Sequence, residues 1–313
     1  MVANAGSSPR EVAVPLPVLA LLLLLSLGWA GQPVSMKLSF THVPPMATAG
    51  LRFAIGLLLI GGCALAQGIP LAAPRREWRR LLAMGALFCV QICLLYLGGN
   101  LTTAGYQSLL INTHPLFVPL LAHRFLKGDR LTRTKVAGSG VAFLGFVVAM
   151  GGVGALGAEP PPPTMLAGNL LLLGSAVLLA AKAVYTAALV RDIEPYRVLF
   201  WQMVLAVPIF LALSPLIDGP QPWRWSPVAA LAIAYQGVVV AGFCFVVWTY
   251  LLRRYAPSRL AVVMFATPVF GVALGAGLLG ERVTPGLVIG GVLVLAGIAL
   301  VNRESWLRPR EPL

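Results

Sequence analysis

The chain has 313 residues, of which 58% are hydrophobic and only 11% are charged, and its mean hydropathy is +0.87. Soluble domains carry about 25% charged residues, so these values exclude a soluble fold of this length. The apolar runs are continuous and close to the roughly 20 residues that a helix needs to cross a bilayer. Strands of membrane barrels alternate polar and apolar residues instead. The predicted fold class is therefore an all-α, polytopic membrane protein.

Ten apolar segments predict ten transmembrane helices. The predicted spans are 13–36, 44–67, 80–98, 104–124, 133–153, 165–190, 196–217, 228–251, 257–279 and 284–302. The first segment is too long for the apolar region of a signal peptide, about 7–15 residues, so we interpret it as a retained span. The connections are short and marked by proline, which leaves no room for a soluble domain.

The basic residues lie in short clusters between apolar runs. A net charge of +13 is compatible with nucleic-acid binding, but this clustering is typical of cytoplasmic loops. If the N-terminus is cytoplasmic, 18 of the 23 Lys and Arg fall in cytoplasmic segments. Three lie in segments on the outside, Lys37, Arg224 and Arg282, and two lie within spans, Arg52 and Lys182. The count predicts cytoplasmic N- and C-termini in an inner membrane, and no nucleic-acid partner.

An internal repeat divides the chain. The segment Gly128-Asp129-Arg130-Leu131-Thr132 recurs 152 residues later as Gly280-Glu281-Arg282-Val283-Thr284. At the same offset Gly138 and Gly145 recur as Gly290 and Gly297. An offset of 153 matches Thr113-His114-Pro115 to Ala266-Thr267-Pro268, and aligns Trp29 with Lys182.

Each repeat holds five spans, and an odd number makes the second copy cross the membrane in the opposite sense. The predicted architecture is therefore two inverted five-helix repeats, 1–154 and 165–303, followed by a cytoplasmic tail, 304–313. The Pro-rich stretch around 155–164 is interpreted as the hinge between them. Such symmetry gives two mirror-related states around one site at the midplane.

The order and duplication of these motifs resemble the EamA-type branch of the drug/metabolite transporter superfamily, over nearly the whole chain. The matching residues are Gly28-Trp29-Ala30 with Lys37, Leu51-Arg52-Phe53, Pro115 with its Gly-Asp-Arg-Leu-Thr motif, and Pro268 with Gly-Glu-Arg-Val-Thr. The resemblance implies a ten-helix exporter or permease of metabolites such as amino acids, working by alternating access without ATP. Lys182 departs from it, since the family usually has an aromatic residue there.

Two cations lie inside predicted spans. Burying the ammonium of Lys182 in hydrocarbon costs about 2.5 kcal/mol or more, so it faces a cavity or snorkels toward the end of its helix. No Asp or Glu lies deep in a span to pair with it, which favours binding of a substrate carboxylate or phosphate. Arg52 is a second substrate-binding candidate, and its favoured alternative role is an anchor to helix-end carbonyls or to the outer interface.

Polar amides inside apolar spans need hydrogen-bond partners, because an unpaired buried amide costs about 1–3 kcal/mol. Gln32 and Gln202 are predicted to bind substrate, with contacts that hold helices together as the alternative. Gln91 and Asn112 are assigned to such helix contacts. Among the aromatic residues, Trp29, Tyr185 and Trp248 lie deepest and are predicted to line the cavity, with an interfacial belt as the alternative.

Gating is predicted at His114, Pro115 and Pro268. His114 is a candidate proton relay or a satisfied core residue, and the matched prolines kink their helices or simply pack. Asp129 and Glu281 are predicted to cap the helix that follows each of them. The runs Gly138-Ser139-Gly140 and Gly290-Gly291 predict that the fifth and tenth spans pack tightly or form a dimer face.

The predicted function is secondary transport of a small polar metabolite, an amino acid or other carboxylate, across the inner membrane. A lipid-headgroup flippase and a channel-like facilitator stay open as alternatives. An enzyme is not predicted, because the spans lack a metal cluster or a nucleophile with its base. No cofactor or metal is expected. The expected partners are the substrate and the lipid bilayer, and a homodimer is left open.

Overall fold

The computed structural model describes residues 15–125, 133–149, 162–220, 222–254, 264 and 266–307. Its α-helices are α1 (Leu16–Phe40), α2 (Pro45–Ala66), α3 (Arg75–Leu101), α4 (Ala104–Ile111), α5 (His114–Phe125), α6 (Arg133–Ala149), α7 (Pro163–Leu189), α8 (Pro195–Leu213), α9 (Pro227–Tyr235), α10 (Phe245–Arg254), α11 (Ala266–Leu279) and α12 (Pro285–Leu307). A π-helical turn, Ser214–Asp218, extends α8, and a π-helical segment, Gln236–Cys244, joins α9 to α10. The described residues contain no strand, and the all-α prediction is confirmed.

Six helical segments in the described residues are long and apolar enough to cross a membrane. They are Leu16–Phe40, Pro45–Ala66, Arg75–Leu101, Pro163–Leu189, Pro195–Asp218 and Pro227–Leu251. Three shorter apolar helices, Val136–Ala149, Ala266–Leu279 and Pro285–Leu300, occupy further predicted spans. Proline begins α2, α7, α8, α9 and α12, where its missing N–H leaves no hydrogen bond unmade. The chain is a multi-pass membrane protein.

The predicted span 104–124 is wrong as a single helix, because it is interrupted at Asn112 and Thr113. The Asn112 amide donates to the Ser108 carbonyl at 2.7 Å, and the Thr113 hydroxyl donates to the Leu110 carbonyl at 2.7 Å. Side chains that bond to nearby carbonyls compete with the helix for the same acceptors. The span therefore divides into α4 and α5.

Several predicted features lie outside the described residues. These are the first repeat motif (128–132), most of the predicted hinge (155–161), the beginning of the predicted span 257–279 and the end of the tail (308–313). The described part of the span 257–279 is α11, which begins at Ala266. The first four residues of the predicted tail continue α12 as far as Leu307.

The fifth and tenth predicted spans, α6 and α12, pack through the duplicated glycines. A Cβ on Gly145 would lie 2.7 Å from the Gly290 carbonyl oxygen, and one on Gly297 would lie 2.5 Å from the Gly138 carbonyl oxygen. The repeat aligns Gly138 with Gly290 and Gly145 with Gly297, so the contacts exchange partners, as a two-fold axis requires. The predicted tight packing of the fifth and tenth spans is confirmed. These glycines contact each other within one chain and do not form a face for a second copy.

The other helix contacts follow the same symmetry. Helix α2 packs on α8, its own counterpart in the second repeat, as α6 packs on α12. The contact between α3 and α7 has its counterpart in the contact between α9 and α1. The contact between α5 and α7 has its counterpart in the contact between α11 and α1. The core therefore lies between the two repeats, and each repeat covers the apolar face of the other.

The repeat register differs in the first two helices of each half. Helix α2 begins at Pro45 and α8 at Pro195, after turns of the same form, so the offset there is 150 residues. Followed back along α1 and α7, this register pairs Gln32 with Lys182. The predicted alignment of Trp29 with Lys182 is wrong by one helical turn. It used the offset of 153 residues, which applies to a later part of the repeat.

Candidate functional site

A cavity of about 180 Å³ lies between the repeats. Six of the seven residues predicted to bind substrate line it: Trp29, Gln32, Arg52, Lys182, Gln202 and Trp248. The seventh, Tyr185, is not among the lining residues. Its hydroxyl donates to the Arg80 carbonyl at 3.2 Å, and its ring packs in a separate apolar cluster with Leu189 and Trp201. Lys182 and Thr186 of the same helix do line the cavity, so Tyr185 lies on a different face of α7.

Arg52 is buried in the bundle rather than at an interface, with 1% of its surface exposed. Its Nη1 donates to the Tyr96 hydroxyl at 2.9 Å, and that hydroxyl donates to the Gln236 Oε1 at 2.7 Å. The Gln236 amide donates in turn to Ser39 at 3.2 Å. The guanidinium carbon also lies 4.5 Å from the centre of the Phe53 ring. Helices α1, α2 and α3 and the π-helical segment thus fix the position of one cation.

Gln202 is the counterpart of Arg52, since the 150-residue register pairs the two positions. Both side chains are 1% exposed, and both line the cavity. The Arg52 Nε and the Gln202 Nε2 have no hydrogen-bond partner. Buried N–H groups without acceptors are costly. Two unpaired donors therefore belong to paired residues in the wall of the cavity.

The Lys182 ammonium lies between two aromatic rings at the cavity wall. Its Nζ is 4.5 Å from the centre of the Phe88 ring and 4.9 Å from that of Phe245. Aromatic faces attract a cation, by about 2 kcal/mol when the pair is desolvated. This contact places the ammonium in the cavity and argues against the alternative that Lys182 snorkels to its helix end. Its counterpart Gln32 donates weakly to the Met36 sulfur at 3.7 Å.

Trp29 and Trp248 form one wall of the cavity. Their ring centres are 5.5 Å apart and the ring planes meet at 80°, an edge-to-face arrangement. Such pairs are worth about 0.5–1.5 kcal/mol beyond their burial, which holds both rings in place. They give the cavity an aromatic wall on which a substrate can stack.

The gating candidates begin helices rather than interrupt them. His114 is the first residue of α5, lines the cavity and has its Nδ1 3.1 Å from the Ile111 carbonyl oxygen. Pro115 follows it, and Pro268 is the third residue of α11. Pro115 follows the interruption at Asn112 and Thr113, and the residue before Ala266 lies outside the described residues, so a kink at the matched prolines stays a prediction. A gating or relay role for the three residues stays a prediction.

Three residues with unpaired buried atoms were missed by sequence reasoning. Gln107 Oε1, Ser108 Oγ and Thr267 Oγ1 have no hydrogen-bond partner, and all three residues line the cavity. The sequence carried a signal for Gln107, which is an amide inside the predicted span 104–124, as Asn112 is. Gln91 and Asn112, assigned to helix contacts, also line the cavity, although Gln91 does bond to Ser175 across α3 and α7 at 2.9 Å.

Glu281 caps a helix, but not the one that follows it. Its carboxylate accepts from the Ala104 N–H at 2.6 Å and from the Gly105 N–H at 2.9 Å, at the beginning of α4. The predicted cap of the following helix is therefore wrong for Glu281, and Asp129 lies outside the described residues. A carboxylate at a helix N-terminus is stabilised by the helix dipole. The repeat motif thus joins the second half to the first.

Comparison with known proteins decides the family. Residues 16–151 and 166–303 match the model of the EamA-like transporter family. The chain belongs to this family. This EamA-like transporter is accordingly a membrane transporter of the drug/metabolite superfamily.

Three relatives span much of this EamA-like transporter. An "uncharacterized transporter" of Archaeoglobus fulgidus is 30% identical over 88% of the chain and 95% of its own length. A "probable amino-acid metabolite efflux pump" of Salmonella typhimurium is 27% identical over 89% and 92%. A "probable terminal-alkyne amino-acid exporter" of Streptantibioticus cattleyicolor is 30% identical over 66% and 67%. A solved crystal structure, 23% identical, covers 91% of this chain with a TM-score of 0.66, which supports the fold.

Proposed function

We propose that this transporter exports a small metabolite carrying a carboxylate, such as an amino acid, across the inner membrane by alternating access. The charge of the cavity carries the proposal. Arg52 and Lys182 both line it, and no Asp or Glu is among the lining residues in the described part of the chain. Two buried cations without a counter-charge are costly. A carboxylate between them would offset the cost for both.

The hydrogen bonding of the two cations supports a carboxylate. Tyr96 occupies Nη1 of Arg52 and leaves Nε without a partner, and the nearby donor of Gln202 is also unpaired. Carboxylate oxygens accept several hydrogen bonds, and bonds to charged groups are worth about 1.5–3 kcal/mol. Lys182 is held by aromatic faces, which attract the ammonium without neutralising it. The cavity therefore lacks an anion that the substrate would supply.

The direction of transport and the amino-acid class are supported by the relatives, of which one is named an amino-acid metabolite efflux pump and another an amino-acid exporter. Alternating access is supported by the repeats, because inverted repeats give two mirror-related arrangements around one site. The pairs Gln32 with Lys182 and Arg52 with Gln202 set the cavity at the axis that relates them. Cytoplasmic termini rest on the Lys and Arg distribution, and a homodimer stays a prediction.

Flux measurement tests the proposal. Comparing metabolites released by cells with and without the protein selects candidate substrates, and purified protein in liposomes then tests each one. Saturable uptake with counterflow is expected for a carboxylate substrate. Flux that does not saturate would indicate a channel, lipid scrambling without metabolite flux would indicate a flippase, and either result would overturn the proposal.

Substituting Lys182 tests the site. Lys182→Gln removes the charge but keeps a polar side chain, and the affinity for the carboxylate is expected to fall about tenfold or more. The matched control is Lys37→Gln, because Lys37 lies outside this cavity and its Nζ bonds to the Asn100 carbonyl at 3.2 Å. Equal affinity of the two variants, with normal expression, would exclude Lys182 from the site.

A further inference from the structure

The cavity does not extend equally toward the two ends of the bundle. Three residues of α1 and their counterparts on α7 line it: Trp29, Gln32 and Pro33, and Leu179, Lys182 and Ala183. One turn further on, Thr186 of α7 also lines it, whereas its counterpart Met36 does not. On the helices that follow, Val198 lines it and its counterpart Thr48 does not. The cavity therefore reaches further toward the end at which α7 ends and α8 begins, which is the cytoplasmic end in the predicted topology.

Helix α4 covers the equivalent position at the other end of the bundle. The Gln107 amide donates to the Met36 sulfur at 3.1 Å. A Cβ on Gly99 would lie 2.6 Å from the Gln107 Oε1, and one on Gly271 would overlap the Ser108 side chain. The two side chains of α4 are thus packed against glycines of α3 and α11. This packing closes the outer end of the cavity.

The packing of α4 leaves two polar atoms unsatisfied. Gln107 Oε1 and Ser108 Oγ are buried without a hydrogen-bond partner. If α4 moved away from α3 and α11, water would supply partners for both atoms. The packed and separated arrangements are therefore closer in free energy than they would be at an apolar contact. A gate requires two arrangements of similar free energy.

Glu281 binds α4 in its packed position. Its carboxylate accepts from the Ala104 and Gly105 N–H groups at the first turn of α4. A Cβ on Gly275 would lie 2.7 Å from the Glu281 Oε2, so a glycine in α11 leaves room for the carboxylate. Hydrogen bonds to an ionised acceptor are about twice as strong as neutral ones. These two bonds offset the unpaired atoms that lie deeper in the same contact.

The repeat symmetry separates permanent contacts from those that must change. The Asp218 carboxylate accepts from the Met46 N–H at 2.9 Å, at the beginning of α2. At the opposite end of the bundle the Gln67 amide donates to the Tyr196 hydroxyl at 2.9 Å, at the beginning of α8. Met46 and Tyr196 are counterparts, so this contact is made at both ends at once and persists when the repeats exchange roles. A contact that closes one end of the cavity has to break instead.

We propose that α4 is the outer gate of this transporter and that the Glu281 carboxylate holds the gate closed. The inference rests on the alternating access of the proposed function, although not on the identity of the substrate. In the arrangement described, the gate is closed and the cavity extends toward the cytoplasm. When α4 moves away from α11, the bonds of Glu281 to Ala104 and Gly105 break and the cavity reaches the outside.

A cysteine in the cavity tests the gate. Gln32 is half-buried on the cavity wall, so Gln32→Cys places a thiol there. A membrane-impermeant maleimide added outside intact cells reaches this thiol only through the outer gate. The native cysteines stay in place, and the parent protein without Gln32→Cys measures their labelling. Glu281→Ala is expected to raise the labelling rate at position 32 about tenfold, and Glu281→Gln by less, because the amide keeps a neutral acceptor.

Asp218→Ala is the matched control. It removes the other carboxylate of the second repeat that binds the beginning of a first-repeat helix at the same end. Because the start of α2 is bound in both arrangements, this variant is expected to leave the labelling rate unchanged. Ser108→Cys is a second reporter, which lies in the gate contact itself and replaces Gln32→Cys if size-exclusion profiles show that Gln32→Cys is not folded.

Three results would overturn the gate. They are an unchanged labelling rate in Glu281→Ala, an equal rise in Asp218→Ala, and a rise that occurs only in inside-out vesicles. The labelling requires no substrate, so its outcome is independent of the carboxylate assignment. If the rate rises as expected but no carboxylate is transported in liposomes, the gate stands and the proposed substrate is wrong. If carboxylate flux is saturable but the rate does not rise, the proposed function stands without this gate.

Discussion

Replacing Gly145 by alanine tests the packing of the two repeats. An added Cβ would lie 2.7 Å from the Gly290 carbonyl oxygen, from the Leu293 Cβ and from the Val294 nitrogen. Each distance is 0.7 Å short of the 3.4 Å at which ordinary contact begins. All three neighbours belong to the backbone or lie next to it, so α6 and α12 would have to separate. Overpacking of this kind costs about 1–3 kcal/mol.

The control lies on the same helix. A Cβ on Gly140 would meet nothing within 4 Å, so Gly140→Ala gains helix propensity, up to about 1 kcal/mol, without a clash. Thermal unfolding of the two variants in detergent measures the difference. We expect Gly145→Ala to unfold at a lower temperature than wild type and Gly140→Ala at the same or a higher one. Equal unfolding temperatures would refute the close glycine contact between the repeats.

Two further predictions concern stability and use the same unfolding assay. Arg197→Ala leaves the buried Glu77 carboxylate without its partner at 2.9 Å and is expected to lower the free energy of unfolding by about 3–5 kcal/mol. Arg80→Ala breaks an exposed pair with Asp192 and is expected to lower it by less than about 1 kcal/mol. Equal losses of stability in the two variants would contradict this reasoning. Glu281→Ala removes the acceptor of two N–H groups at the beginning of α4, including that of Gly105, and is expected to cost about 0.5–2 kcal/mol, with Glu281→Gln in between. If Glu281→Ala unfolds at the same temperature as wild type, water replaces the carboxylate as the acceptor of these two N–H groups.

The fold could be predicted from the sequence because its determinants are local. Apolar length marks the spans, and duplicated glycines mark the helix pair in which side chains would not fit. The interruption at Asn112 was missed because it depends on side chains bonding to backbone carbonyls within an apolar run. The repeat register was wrong for Trp29 because the offset changes along the chain. Only the positions of Pro45 and Pro195 at matching helix starts correct it.

The site could be predicted in part, because charged and amide side chains in apolar spans are costly and therefore conspicuous. Arg52, Lys182 and Gln202 were found in this way. Ser108 and Thr267 were missed because hydroxyls are common in membrane helices and usually bond to their own backbone. What distinguishes these two is the lack of a partner, which only the packed structure shows. Tyr185 was placed in the cavity by its depth in the span, and depth does not give the face of α7 that lines the cavity.

A structure with a bromine-labelled carboxylate tests the central claim most directly. Crystals of the protein with 3-bromopropionate would give an anomalous signal at the bromine, and the carboxylate would be visible beside it. We predict the bromine in the cavity between α1 and α7, with the carboxylate within hydrogen-bond distance of Arg52 or Lys182. A carboxylate bound elsewhere, or in the cavity but beyond hydrogen-bond distance of both cations, would contradict the account.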